Sequence, residues 1–169
     1  MIKKPASGTY PPYFDYYIQL VEGNVLKLLN SQRVEFKDLL WHTENIEYAY
    51  APGKWTIRQV IQHLIDAERV FNYRGMCISR GEQIALPSFD HNQYANVDVS
   101  HLNRKQMWRE YNSLRKSRIS LFKNMTDIML DREGTVGGNT QSARAIPFMI
   151  AGHQAHHMKI IKERYLIDG

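Results

Sequence analysis

Histidine is the residue whose spacing in this chain could do chemistry. His153 and His157 lie four residues apart in IAGHQAHHMKII, and His63 lies in IQHLIDAERV. Neutral imidazole is a good ligand for zinc, nickel, iron and copper, so three converging rings could hold one divalent ion. Three protein ligands would leave a coordination position open, as in catalytic zinc sites. Such an ion can acidify a water molecule or a thiol and turn it into a nucleophile.

The spacing of these histidines predicts that they point inward. Ile150, His153, His157 and Ile160 follow at steps of three and four residues, so they share one face of a helix. That face is otherwise apolar and is expected to face the core. His63 lies in the same way on the apolar stripe of an earlier helix. Three buried histidines without partners would be costly, and one shared ion would remove that cost.

A structural explanation of the histidines competes with the metal site. A single core histidine is more often hydrogen-bonded to protein than bound to metal, and His63 alone would favour that interpretation. Because the pair and His63 lie on the inward stripes of two helices, the metal site is favoured over the structural explanation. His156 lies three residues after His153 but well around the helix from His157. We therefore expect His156 beside the ligands or at the surface.

Several other side chains are weaker candidates. Asp66 follows His63 by three residues and could accept a hydrogen bond from a ligand imidazole, although a solvated carboxylate is the simpler interpretation. Trp55 and Tyr94, with Phe89, could line the mouth of a pocket. The remaining histidines fall at predicted helix ends or in loops and are expected at the surface: His42, His91 and His101.

Four helices are predicted to position these residues, at about 12–40, 57–80, 104–127 and 142–166. Gly23 indicates a bend or break in the first. The second has the clearest start, because Thr56 and Gln59 match a capping box, and Gly81 ends it. Four long helices with short and long connections predict an all-α four-helix bundle.

The connections between these helices differ in length. Residues 81–102 form a long crossover between the second and third helices. Loops longer than about 12–15 residues are uncommon and are usually functional. The segment EGTVGGNT, before the fourth helix, is predicted to be a Gly-rich loop.

Composition places the chain among ordinary folded proteins. Its 169 residues suit a single domain over 1–169, with 1–11 as an extended N-terminal arm. No apolar run approaches the roughly 20 residues that span a membrane. The one cysteine, Cys77, excludes an internal disulfide and suits the cytoplasm. The net charge of +5 is dispersed among acidic residues, so a nucleic-acid partner is not expected.

Three segments resemble the DinB-like superfamily, which includes the YfiT-type proteins. They are YAPGKWTIRQVIQHLIDAERVF, SFDHNQYA and AGHQAHHMKIIKERY, and the resemblance covers most of the chain. It implies a four-helix bundle with a long connection between the second and third helices. The family's three metal-binding histidines fall on His63, His153 and His157.

The resemblance also implies a class of activity. Characterised relatives include metal-dependent enzymes that transfer low-molecular-weight thiols to electrophiles. We therefore expect a zinc, nickel or iron enzyme that acts on a small electrophilic substrate by thiol S-transfer, with a thiol cosubstrate, or by hydrolysis. The resemblance suggests a homodimer. The alternative is a non-catalytic bundle that binds a metal or a small molecule, as a sensor or stress-related module.

Overall fold

Four long helices form the body of the chain, which a computed structural model describes over residues 1–166. In chain order the elements are α1 (Asp15–Gln19), α2 (Val25–His42), α3 (Ile57–Arg80), α4 (His91–Ala95), α5 (Arg104–Lys123), α6 (Asp127–Leu130), β1 (Glu133–Val136), β2 (Asn139–Ser142) and α7 (Ala145–Ile160). A 3-10 turn precedes α1, and one π-helical turn extends α7. Helices α2, α3, α5 and α7 pack together as the predicted four-helix bundle.

The first predicted helix is divided in two. Helix α1 ends before the predicted break at Gly23, and α2 begins after it. The side chain of Asn24 caps α2 by accepting two backbone N–H groups at 3.0 and 3.2 Å. The separate helix α1 packs across α7. Residues 1–11 precede it without a regular helix or strand, and Ile2 and Tyr10 in this segment are buried.

Helix α3 begins where the sequence predicts. The Thr56 backbone N–H donates to Gln59 Oε1 at 2.8 Å, and the Gln59 N–H donates to Thr56 Oγ1 at 3.2 Å. This reciprocal capping box satisfies two backbone donors that the first turn leaves free. The helix then keeps one apolar side toward the bundle, and this side carries His63.

Helix α7 is the central element and is buried along most of its length. A Cβ atom on Gly152 would lie 1.8 Å from the Tyr17 carbonyl oxygen, so only glycine lets α1 come this close. This contact places α1 directly over the histidines of α7. No helix within residues 1–166 has both the length and the apolar character needed to cross a membrane.

The predicted Gly-rich loop is wrong, because EGTVGGNT forms the antiparallel hairpin β1–β2. Gly137 and Gly138 have φ values of 54° and 81°, the left-handed pair required by a tight two-residue hairpin turn. The hairpin also binds the crossover, since the Leu86 N–H donates to the Thr135 carbonyl at 2.8 Å. It therefore fixes the start of the segment that leads to α4.

Candidate metal centre

Three histidines converge between α3 and α7. His63 Nε2 lies 2.9 Å from His153 Nε2, and His157 Nε2 lies 3.1 Å from the same atom. Because His153 and His157 are four residues apart, their rings stand one turn apart on the same face of α7. His63 is 6% exposed, while the two α7 rings are partly exposed.

Hydrogen bonds alone do not satisfy this arrangement. Nε2 of a neutral imidazole carries one proton or one lone pair, but not both. His153 Nε2 can therefore form only one of its two short contacts as a good hydrogen bond. A single ion would accept all three lone pairs. Zinc–nitrogen bonds of about 2.0–2.1 Å place tetrahedral ligand nitrogens ~3.3 Å apart, close to the separations of 2.9 and 3.1 Å observed here.

The environment keeps all three rings neutral. Burial, followed by repulsion from His91, lowers the pKa of His63 to about 4. Burial and repulsion from His63 lower the pKa of His157 to about 3, and the pKa of His153 is also well below its ordinary value, mainly because of burial. Neutral imidazole is the form that binds a metal. The residues present therefore fit a divalent ion of borderline softness.

The histidines lie at the base of a cavity of about 420 Å³. Six aromatic side chains surround them, and we call this set the aromatic wall: Tyr13, Phe14, Tyr17, Trp55, Phe71 and Phe89. The wall is assembled from the N-terminal turn and α1, the loop before α3, α3 itself and the crossover. An ion held by the three histidines would therefore have its remaining coordination positions toward a cavity that a small molecule can enter.

The comparisons with known proteins agree with this geometry. The family model of the DinB superfamily matches residues 24–161, which includes all three histidines. The chain belongs to the DinB superfamily.

Two relatives illustrate how far the likeness extends. A protein of Oceanobacillus iheyensis named "Putative metal-dependent hydrolase OB0413" is 24% identical over 121 residues, which cover 70% of this chain and 69% of that protein. The structure of YfiT from Bacillus subtilis, described as "a probable metal-dependent hydrolase with an unusual four-helix bundle topology", has a TM-score of 0.72 at 19% identity. It aligns with 95% of this chain and 90% of YfiT, and at this identity it shows the fold.

Two other predicted residues of this DinB-superfamily chain lie near the site. Trp55 lines the cavity, with its ring centroid 5.0 Å from that of His63. His156 lies beside the cluster, with its ring 5.3 Å from that of His157 and packed against the rings of Tyr16 and Tyr17.

The structure places Asp66 and Tyr94 away from the histidines. The carboxylate of Asp66 accepts a hydrogen bond from Gln62 Nε2 at 3.0 Å, and no hydrogen bond within residues 1–166 joins it to His63. Tyr94 is exposed and packs against Phe89, which separates it from the cavity. Asp66 is therefore hydrogen-bonded to Gln62, and Tyr94 does not line the cavity.

Sequence reasoning placed His91 at the surface and missed its position in the cavity. His91 is exposed, but it lines the cavity, with its ring 5.9 Å from that of His63 and 6.1 Å from that of Trp55. Asp90 caps α4 by accepting two backbone N–H groups at 2.9 and 3.1 Å, which fixes His91 as the first residue of that helix. The cap residue Asp90 was the available signal for this short helix.

A second buried polar cluster joins α3 and α5 to another face of α7. Glu68 from α3 is paired with Arg115 and Arg118 from α5, and all three are at most 1% exposed. These ion pairs lie in the interior of the bundle and not at its surface. Gln154 of α7 accepts a hydrogen bond from Arg115 at 2.6 Å. Two neighbouring residues of α7 therefore belong to different clusters. His153 lines the cavity, and Gln154 contacts the ion pairs.

Proposed function

We propose that this chain is a metal-dependent enzyme of the hydrolase type. His63, His153 and His157 would hold one divalent ion at the base of the cavity. The observation that carries the proposal is the convergence of three neutral imidazole nitrogens within 4.8 Å of one another, whose short contacts cannot all be hydrogen bonds. The names of the Oceanobacillus and Bacillus relatives support the same class of activity.

The ion, when bound, would supply Lewis acidity and lower the pKa of water or of a thiol. The protein's own part is to bind and to shape the surroundings. The three rings are held neutral by burial, so no proton must leave before they bind. The aromatic wall surrounds the histidines with apolar surface, which would strengthen electrostatic interactions beside the ion. His91 stands at the rim on the open side, where its ring can contact a bound molecule.

Hydrolysis of a small electrophilic substrate is the leading form of this proposal. Thiol S-transfer, which the resemblance to DinB-like proteins suggests, would use the same ion and the same three histidines. Low-molecular-weight thiols with carboxylates need a cation to receive them. None of the cavity-lining residues in the described part of the chain is Lys or Arg. We therefore place hydrolysis first and assign no thiol cosubstrate.

The three imidazole ligands do not distinguish zinc, nickel and iron, because all three ions accept imidazole nitrogen. The competing class is a non-catalytic bundle that binds a metal or a small molecule. The accessible cavity beside the histidines favours the enzyme, since a purely structural ion is usually closed off by four protein ligands.

Metal content tests the proposal directly. The protein is purified without an affinity tag and its metals are measured by mass spectrometry, for wild type, for His63→Ala/His157→Ala and for His101→Ala as an exposed control. We expect one ion per chain in wild type and in the control, and none in the double variant. Wild type that takes up no zinc, nickel or iron after loading would overturn the proposal. A loaded protein that hydrolyses no member of an ester, amide and lactone panel would favour the non-catalytic bundle.

A further inference from the structure

The aromatic wall is built from segments far apart in the chain. Tyr13, Phe14 and Tyr17 come from the N-terminal region, Trp55 precedes α3, Phe71 lies on α3 and Phe89 lies on the crossover. The Phe14 and Phe71 rings meet edge to face at 5.8 Å and 83°. Aromatic rings prefer such offset or edge-on arrangements with one another. A flat ring entering the cavity would therefore find both ring faces and ring edges to contact.

The cavity offers no charged side chain. Its lining contains no Asp, Glu, Lys or Arg among residues 1–166, and burial keeps its three inner histidines neutral. The nearby cation is Arg74, which lies behind the wall, with its guanidinium 5.3 Å from the Phe71 ring and 5.5 Å from the Phe89 ring. Arg74 Nη2 donates to the Pro87 carbonyl at 2.8 Å, so it holds the crossover in place. A ligand with an anionic body would lose its hydration and gain no cationic partner from the side chains that line the cavity.

The size of the cavity sets a second limit. A volume of about 420 Å³ falls in the lower part of the range of about 300–1,000 Å³ for small-molecule sites. One or two fused rings with a short polar group fit that space, whereas a long peptide does not. The histidines lie at the base, so the polar group of the ligand would point toward them and its rings would contact the wall.

From the aromatic wall, the lack of cationic side chains in the lining and the size of the cavity, we propose that the site takes a small molecule with a flat aromatic body that carries no negative charge. The proposal deepens the proposed function and rests on it only for the direction of the polar group. The preference for an aromatic body without negative charge comes from the wall and holds with or without the ion, which would contact only the polar group.

The first test uses metal-free wild type, so that it is independent of metal binding. Calorimetry measures the affinity for 2-naphthol, for the anionic carboxylate analogue 2-naphthoate and for the saturated analogue decahydro-2-naphthol. We expect 2-naphthol to bind at least ten times more tightly than either. Equal or tighter binding of 2-naphthoate would overturn the requirement for a body without negative charge. Equal binding of the saturated analogue would overturn the aromatic preference, and no binding of 2-naphthol would overturn the proposal as a whole.

Variants locate the binding of 2-naphthol. Phe89→Ala should weaken it at least fivefold, because Phe89 is a partly exposed part of the wall whose removal leaves the bundle core intact. Tyr73→Ala is the matched control, since Tyr73 is an exposed aromatic on α3 outside the cavity, and it should bind within twofold of wild type. If Phe89→Ala is not folded by circular dichroism, Trp55→Leu replaces it with the same expected loss. Equal binding by the wall variant and the control would place the ligand elsewhere and overturn the proposal.

Zinc-loaded wild type separates failure of this inference from failure of the proposed function. Benzohydroxamate and acetohydroxamate share one metal-binding group and differ in the aromatic ring. We expect the benzo compound to bind at least ten times more tightly. Tight and equal binding of both would support the ion and overturn the aromatic preference. A chain that binds 2-naphthol but no zinc would support the aromatic preference and overturn the metal centre.

Discussion

The bundle buries two polar clusters on different faces of α7, and their polar groups find partners in different ways. Around Glu68 and Arg115 the partners are protein groups. Arg115 donates to Glu68 at 2.8 Å, to the Leu29 carbonyl and to Gln32 at 3.1 Å, and to Gln154 at 2.6 Å. Around His153 the short polar contacts are two other histidines, and a cavity opens beside them.

This difference separates a structural cluster from a binding site. Glu68 and Arg115 contact opposite charges and carbonyl groups of the protein, and of their cluster only Arg118 Nη1 has neither a hydrogen bond nor an ion pair among the described residues. Three neutral imidazoles that face one another leave lone pairs unused, and the adjoining cavity gives an outside partner access to them. Burial of polar groups therefore does not by itself indicate function. A binding site is indicated where buried polar groups lack protein partners and a cavity gives a ligand access to them.

The largest expected effect is loss of the ion from the histidine cluster. His153→Ala removes the nitrogen shared by both short contacts. Because binding free energies of about 10–16 kcal/mol at structural zinc sites are divided among the ligands, affinity should fall about a thousandfold. Zinc titration with a chromophoric competitor measures the affinity. His156→Ala, three residues further along the same helix, should remain within tenfold of wild type, and an equal loss in the two variants would contradict the assignment of ligands.

Breaking the ion-pair cluster should affect folding and leave the metal in place. Glu68→Gln leaves two buried guanidinium groups without their carboxylate, which should lower the free energy of unfolding by about 3–5 kcal/mol. Urea denaturation of the metal-free protein measures this loss. Glu163→Gln is the exposed control and should change the same quantity by less than about 0.5 kcal/mol. Loss of zinc from folded Glu68→Gln would show that the two clusters are coupled and would break the comparison.

Gly152→Ala should disturb the histidine side alone. Its Cβ would meet the Tyr17 carbonyl oxygen at 1.8 Å, so α1 must move away and the aromatic wall must open. Overpacking of this kind costs about 1–3 kcal/mol, and hydrogen exchange should speed up in α1 but not in α5. Gly75→Ala is the contrast, because its Cβ would meet the buried Phe122 ring of α5 at 2.6 Å, so it should disturb the contact of α3 with α5 and leave exchange in α1 unchanged. Unchanged exchange in α1 would contradict the close approach.

The smallest expected effect on stability comes from an ion pair whose carboxylate is exposed. Arg144 donates to the Asp131 carboxylate at 2.5 Å, and this hydrogen bond lowers the pKa of Asp131 below its ordinary value of 3.8. The carboxylate is mostly exposed, so Asp131→Asn should cost less than about 1 kcal/mol. Because the folded pKa is the lower one, this contribution is present above 3.8 and is lost as pH falls through the folded value. Urea denaturation at pH 7 and pH 3 should give a smaller difference between variant and wild type at pH 3.

Several features were predictable because their signals are local. The capping box of Thr56 and Gln59 fixes the start of α3 within four residues. The four-residue step from His153 to His157 places both rings on one face wherever that helix packs. The hairpin was also within reach, since Gly137 and Gly138 match a tight turn. It was missed because the flanking strands are only four residues long and lack the usual β-branched alternation.

The remaining features depend on contacts between distant segments. The sequence places His63 on an inward stripe, but only packing of α3 against α7 brings its nitrogen to 2.9 Å from that of His153. His91 and Tyr17 enter the cavity because the hairpin fixes the crossover and Gly152 admits α1, and no local pattern contains either event. The sequence by itself therefore determined the four long helices, the inward direction of three histidines and the family. The tertiary structure decided which groups meet, because distances between segments remote in sequence are set by packing and not by helical period.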